Sequence, residues 1–255
     1  MNLYQYTDIN AVKSILRTQE LWATHYQYLN DTSEIEQGIE LILNRLAESK
    51  KLSIEKIQDL KQQVMHSLSK LDIFIVSLCL AKDELSMWRE YGPYAIELDN
   101  NAITLSLTVS GQFTQSDVRP CLYPVQLRKS DSFIDFEFIS TLYDECYLKG
   151  DKVRFISSLV YSAAAIKHSA FYAEKEKRAI FSLDKHHTTE IFHRECNGKK
   201  VPYIKVLLPK SSIKAVYIGP QSEQAQLVTD MRDFLKSNKL TGIKVYSSDI
   251  PYKPK

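Results

Sequence analysis

Leu3-Tyr4-Gln5-Tyr6-Thr7-Asp8, with Ala11, Val12, Ile15 and Leu16 behind it and Leu21-Trp22-Ala23-Thr24 beyond, is the stretch on which the fold turns. Residues 3–7 read as a short strand. Asp8 stands where a carboxylate caps a helix, and the four apolar residues after it recur at helical spacing. Leu21 to Thr24 reads as a second extended piece, followed by a polar loop from His25 to Asp31. The chain thus opens as strand, turn, helix, strand.

Working outward, Asp31 or Thr32 caps a long helix with Ile35, Ile39, Ile42 and Leu46 on one face. Ser53 caps another, carrying Ile54, Ile57, Leu60, Val64 and Leu68. Together they predict a helical hairpin over about 32–70. The pattern breaks at Asp72, and the β-branched and aromatic run Ile73-Phe74-Ile75-Val76 reads as a buried strand. Residues 83–91 form a short helix or turn. Tyr94–Leu98, Ile103–Val109 and Leu122–Leu127 read as strands. Phe133–Tyr147 and Lys152 to about Ala173 read as helices, the second holding the small residues Ser162 to Ala165, suited to close packing. Arg178–Leu183, Tyr203–Leu208 and Ala215–Ile218 are further strands. A Gly-Pro turn at 219 and 220, a helix from Ser222 to Lys236 and a strand from Ile243 to Ser247 complete a βαβ unit. Tyr252 to Lys255 is expected to fray. No repeat or linker interrupts the series. The expectation is one α+β domain over 1–255, with a mixed sheet core, a helical hairpin insertion and a C-terminal βαβ unit.

Composition bounds the function. With 255 residues, 44% of them hydrophobic, the chain can bury a full core. No apolar run reaches the ~20 residues of a membrane-spanning helix, since Ile73 to Ala81 is interrupted by Ser77 and ended by Lys82. The N-terminus lacks a basic segment followed by an apolar one, so no signal peptide is read and a cytoplasmic location is expected. A net charge of +2 gives no global pull toward polyanions, so any nucleic-acid contact has to be local. Cys79, Cys121, Cys146 and Cys196 show no metal-ligand pairing and are expected as free thiols. His186 and His187 are adjacent, which on a strand points them to opposite faces, so no metal is expected. Phosphate-loop, dinucleotide, nucleophile-elbow and zinc-protease motifs are all missing from the sequence.

Five groups of residues carry possible chemistry. Tyr4, Gln5, Tyr6 and Thr7 place aromatic and polar groups on a strand beside a helix start, suited to stacking or simply to packing. Asn30 and Asp31, with Thr32 and Glu34, read as a helix cap. Ser77 and Cys79, followed by Trp88 and Tyr91, leave a buried strand and either line a pocket or fill the core. Lys167, Phe171 and the run Glu174-Lys175-Glu176-Lys177-Arg178 are the most informative. In an extended segment Glu174, Glu176 and Arg178 share one face, and two neighbouring carboxylates split their pKa values while an arginine holds one ionised. The alternative is a salt-bridged strand edge. Arg194, before Asn197-Gly198 and Pro202-Tyr203, is placed to meet a phosphate or a surface carboxylate.

In order, Leu3-Tyr4-x-Tyr6-Thr7, Leu29-Asn30-Asp31-x-x-Glu34, Ser77-x-Cys79, Met87-Trp88-x-x-Tyr91, Lys167, Glu174-x-Glu176-x-Arg178, Pro202-Tyr203 and Ile218-Gly219-Pro220 resemble the bacterial and phage family called domain of unknown function 2971. More distantly, Tyr4-Gln5-Tyr6-Thr7, Ile15-Leu16 and Leu21 to Thr24 resemble the first strand, helix and second strand of ADP-ribosyltransferases. That resemblance implies NAD as the cofactor, bound by Tyr4, Gln5, Tyr6, Thr7, Ser77, Trp88, Tyr91, Tyr172 and Arg178. It gives Gln5 the adenosine ribose, Tyr6 or Tyr172 the nicotinamide ring, and Glu176, with Glu174, the catalytic role. Asn30, Asp31 and Arg194 would meet the substrate, a protein or nucleic-acid acceptor, in a toxin or phage-defence setting. Two other readings stay open at this point: a nucleotide- or partner-binding module without a reaction, and a metal-assisted hydrolase or nuclease built on Glu174 and Glu176. The hairpin over 32–70 is the expected partner surface.

Overall fold

β3 (Asp72–Cys79) is the strand to which the rest of the sheet is attached. In the computed structural model, which describes residues 2–29, 34–109, 115–123, 134–183, 187–209 and 211–251, one edge of β3 is taken along its whole length by β6 (Glu176–Leu183), antiparallel from Asp72↔Leu183 to Cys79↔Glu176. Its other edge is divided. β2 (Glu20–His25) pairs with Phe74 and Ile75, whereas β1 (Leu3–Thr7) pairs only at Cys79. Val76, Ser77 and Leu78 therefore have no strand beside them on that edge among the described residues.

Two wings diverge from this split. One runs from β1 through β4 (Tyr94–Leu98) and β9 (Ile213–Ile218) to β10 (Lys244–Ser247). The other runs from β2 through β8 (Lys199–Leu207) to β7 (Phe192–Cys196). β5 (Gln115–Pro120) lies outside β6. The sheet is mixed: β9 and β10 are parallel, joined through α8 (Gln224–Ser237) as the expected βαβ unit, and the other strand pairs are antiparallel.

Strand alternation assigns the two faces. Phe74, Val76 and Leu78 point with Ala179, Phe181 and Leu183 into a core closed by α1 (Ile9–Thr18), α5 (Asn100–Val109) and α8. The side chain of Asp8 starts α1 by accepting hydrogen bonds from the amides of Asn10 and Ala11 at 2.7 and 3.0 Å. On the opposite face Ile73, Ile75 and Ile180 meet α2 (Glu34–Lys50), α3 (Ile54–Leu68), α6 (Ile134–Leu142) and α7 (Lys152–Ala164). Gly38 lets α2 lie directly on α7, since a methyl group there would come within 2.6 Å of the Ala163 carbonyl. α4 (Leu85–Tyr91) covers the β1 side of the same face, over Tyr4 and Tyr6.

Several expectations are corrected. Residues 103–109 are helical, not extended, because Asp99 accepts hydrogen bonds from the amides of Asn101 and Ala102 and starts α5 there. The helix expected to reach Ala173 ends at Ala164. Leu122 donates its amide to the Ala165 carbonyl and Lys167 donates to Leu122, so the chain leaves the helix for a bridge before a 3-10 turn at Ser169–Glu174. β5 was not expected from its polar sequence. The apolar stripe of the α2–α3 hairpin is no free partner surface, because Ile39, Ile42, Leu46, Leu60 and Val64 are buried with residues of α7. Asn30, Asp31, Phe133, His186, residues 124–127 and the tail 252–255 lie outside the described residues. No helix among those described is long and apolar enough to cross a membrane.

Candidate functional site

Along β3 and β6 the row facing α2 and α7 changes character. Ile73 and Ile75 give way to Ser77 and Cys79, and Ile180 gives way to Arg178 and Glu176, with Ser77 opposite Arg178 and Cys79 opposite Glu176. The polar end of this row lies between the helices over Ile75 and the α4 cover over Tyr6. Charged groups from three further segments converge there.

Arg178, 2% exposed, is the centre. Its Nε donates to Glu176 Oε1 at 2.7 Å, Nη1 donates to the Ala164 carbonyl at 2.8 Å where α7 ends, and Nη2 donates to Glu34 at the start of α2 at 2.5 Å. Lys167 supplies a second cation, donating from Nζ to Glu176 Oε2 at 2.7 Å and to Glu174 Oε2 at 2.6 Å. The break in the helix at Ala165 is what turns Lys167 inward. Tyr91 donates its hydroxyl to Glu174 at 3.1 Å, and the Glu176 amide donates to the Tyr123 hydroxyl at 3.0 Å. Lys175, left-handed at φ 44°, reverses the chain between the two glutamates. Glu174 therefore leaves the strand and ends a 3-10 turn, and the two carboxylates meet through Lys167 rather than along one extended face.

Three carboxylates share two cations here. Burial alone would raise the Glu176 carboxyl, but the Arg178 guanidinium and then Lys167 hold it down to about 2, so it is ionised at neutral pH. At Glu34 burial outweighs Arg178 and the carboxyl is raised. Lys167 goes up despite burial, through Glu176 and Glu174. The surrounding hydroxyls keep their protons. Burial and then Glu174 raise Tyr91, burial raises Tyr6, and burial with Glu97 pushes Tyr4 up to about 12. Burial also pushes the Cys79 thiol up to about 11, away from nucleophilic use.

The cluster forms the floor of a groove that enters where the sheet splits. A cavity of about 230 Å³ is lined by Gln5, Trp22, Thr24, Ser77, Arg178 and Arg194 among others. It continues on one side to Thr7, Ala11 and Trp22 beside α1, and on the other to Tyr4, Tyr6, Cys79, Glu174 and Glu176. A further depression lies past Tyr91 and Glu174, between α4 and the turn at Phe171. Of the residues named from sequence, Tyr4, Gln5, Tyr6, Thr7, Ser77, Tyr91, Glu174, Glu176, Arg178 and Arg194 come together on this groove. Tyr4 and Tyr6 turn their hydroxyls away, Tyr4 to Glu97 and Tyr6 to the Ala81 carbonyl.

Trp88 and Tyr172 do not line the groove. Trp88 is buried behind it, its indole N–H bonded to Asp83 at 2.7 Å and its ring edge-on to Tyr6. Tyr172 is half exposed and edge-on to Tyr123. Glu34, read as part of a cap, instead sends its carboxylate to Arg178 and lies 4.0 Å from Lys167. Lys167, grouped in sequence with the glutamates, belongs to the site as their shared cation, and Trp22, expected only as part of a strand, lines it as well. The seven-residue spacing from Lys167 to Glu174 was a usable signal, whereas Tyr123 gave none. Among the described residues no group of three His, Cys, Asp or Glu side chains is arranged to hold a metal. No family model, curated protein or solved structure matches this chain.

Proposed function

We propose that the groove binds NAD and that the protein transfers its ADP-ribose unit to an acceptor, with Glu176 and Glu174 as the reacting carboxylates. One observation carries this reading: an ionised, water-shielded carboxylate, Glu176, lies on the floor of a groove whose walls carry rings, amides and a surface arginine. The donor set suits NAD. Arg194, whose guanidinium meets Thr24 and Trp22 but no carboxylate among the described residues, offers charge to a pyrophosphate. Gln5 and the glutamates offer partners for ribose hydroxyls, and Tyr6 and Tyr91 offer ring surface to nicotinamide. The resemblance of residues 4–24 to ADP-ribosyltransferases supports the same assignment.

In the proposed reaction the bond from ribose C1′ to the nicotinamide nitrogen breaks, and its electron pair leaves with the ring, which becomes neutral. Positive charge then sits on C1′ and the ribose ring oxygen, where a fixed carboxylate lowers the barrier. The acceptor nucleophile bonds to C1′ and gives its proton to Glu174 or to water. The test is nicotinamide release from NAD, with and without cell extract, by the unaltered chain and by Glu176→Gln and Glu174→Gln, each checked for folding by circular dichroism. A fall of about 100-fold or more in at least one folded variant is expected.

A second reading has its own observation. Both oxygens of Glu176 are already bonded, to Arg178 and Lys167, and the residue is 3% exposed. This favours a module of the same fold that binds a nucleotide or partner without a reaction. No nicotinamide release from the folded, unaltered chain, with NAD binding intact, selects that reading.

A further inference from the structure

The groove opens beside the face of β2, β8 and β7 on which Trp22 stands. β2, β8 and β7 turn the same side chains outward as they do at the groove, because Trp22 lies opposite Lys205, Thr24 opposite Tyr203, and Tyr203 opposite Phe192. On this face Trp22 stacks on Tyr203 with ring centres 4.3 Å apart and planes 24° apart. Phe192 continues the row at 5.7 Å and 29°. Tyr203 is buried between its two neighbours, whereas Trp22 is 41% exposed and also lines the groove, and Phe192 is partly exposed. Cations accompany the rings: Lys205 lies 4.6 Å over Phe192 and Arg194 lies 5.8 Å over Trp22. By register Lys199 faces the same way, and among these strand residues the face carries one carboxylate, Glu20, which lies 3.6 Å from Lys205 and leaves Arg194 and Lys199 as the cations offered to a phosphate.

A row of aromatic rings interleaved with cations, on an otherwise near-neutral chain, is the surface that unpaired bases and their phosphates recognise. We infer that the outer face of β2, β8 and β7 binds single-stranded nucleic acid, leading the strand past Trp22 into the groove as the acceptor. The binding stands on the face alone, whereas the acceptor role rests on the transfer reaction proposed above. A duplex buries its base faces, so it is the poorer ligand.

The test uses the full chain with fluorescein-labelled 12-residue DNA and RNA oligonucleotides, followed by anisotropy, with the matching duplexes as competitors. Single strands bind, more weakly as salt rises, and the duplexes compete poorly. Trp22→Ala weakens binding about tenfold or more, and Phe192→Ala and Arg194→Ala weaken it as well. Because the other tryptophan, Trp88, is buried, binding quenches fluorescence in the unaltered chain and not in Trp22→Ala. Circular dichroism confirms that these variants, all at positions with solvent access, remain folded. Absence of single-strand binding, or binding that none of the three substitutions changes, overturns the inference. Oligonucleotide binding without nicotinamide release leaves this face standing and removes the transfer reaction. Nicotinamide release without oligonucleotide binding does the reverse. Release stimulated by nuclease-treated extract and not by oligonucleotides makes the acceptor a protein and overturns the acceptor role.

Discussion

Arg178 donates from all three of its nitrogens to groups that come from β6, the end of α7 and the start of α2. Removing one partner from such a buried network leaves charges uncompensated, which costs far more than a surface pair. Arg178→Met is therefore expected to lower stability by about 3–5 kcal/mol in urea unfolding. Arg178→Lys is expected to recover little of it, because a point charge cannot serve three directions. The pH dependence has a definite sign. The Glu176 carboxyl is lowered from 4.5 to about 2 on folding, so its stabilisation is complete above the unfolded value and is lost as pH falls through the folded one. The stability gap between the unaltered chain and Glu176→Gln should thus narrow from about pH 5 to about pH 2, measured as urea midpoints at successive pH values. The pairing of Glu176 with Arg178 on one strand face was legible in sequence because the two lie so near one another in the chain, whereas the turn that takes Glu174 off that face rests on the left-handed Lys175, which no local pattern announces. Glu34 was read as a cap because its partner lies 144 residues away, a distance no local pattern spans.

At the scale of elements, close contact between α2 and α7 depends on a position without a side chain. In an exposed helix Gly→Ala would gain about 1 kcal/mol. At Gly38 the added methyl meets the Ala163 carbonyl at 2.6 Å, so Gly38→Ala is expected to lower stability by about 1–3 kcal/mol, seen as a lower urea midpoint at unchanged slope. The small residues Ser162 to Ala165 advertised this packing in the sequence. The helical hairpin and the C-terminal βαβ unit were legible because their apolar spacing and turn residues agree. The Ile103 segment was not, because its β-branched residues suggest a strand while Asp99 caps a helix, and the cap prevails. The end of α7 was hidden for another reason: helical spacing continues past Ala164, and only the bridge to Leu122 ends it.

For the whole molecule, β3 is the strand that pairs with both wings among the described residues, and the groove lies where they part. A ligand held by Gln5 on one wing and Trp22 and Arg194 on the other should restrain both wings at once. Hydrogen exchange measured by mass spectrometry, with and without NAD, is expected to show slower exchange in β1 and β2 together and little change in β5 and β10. Slowing in one wing alone would contradict a site that spans the split.

The same arrangement governs when the groove can exist as the chain leaves the ribosome. Its lining runs from Gln5 to Arg194, and β2 has β8 as its outer partner, so neither wall is complete until residues beyond 200 have emerged. The final support comes later still. Asp83, which holds the Trp88 indole behind Tyr6, is itself held by the Ser248 hydroxyl and the Asp249 amide. A nascent chain several times longer than β1 and α1 thus carries those elements without a finished groove, and the site is withheld until Ser248 and Asp249 have emerged.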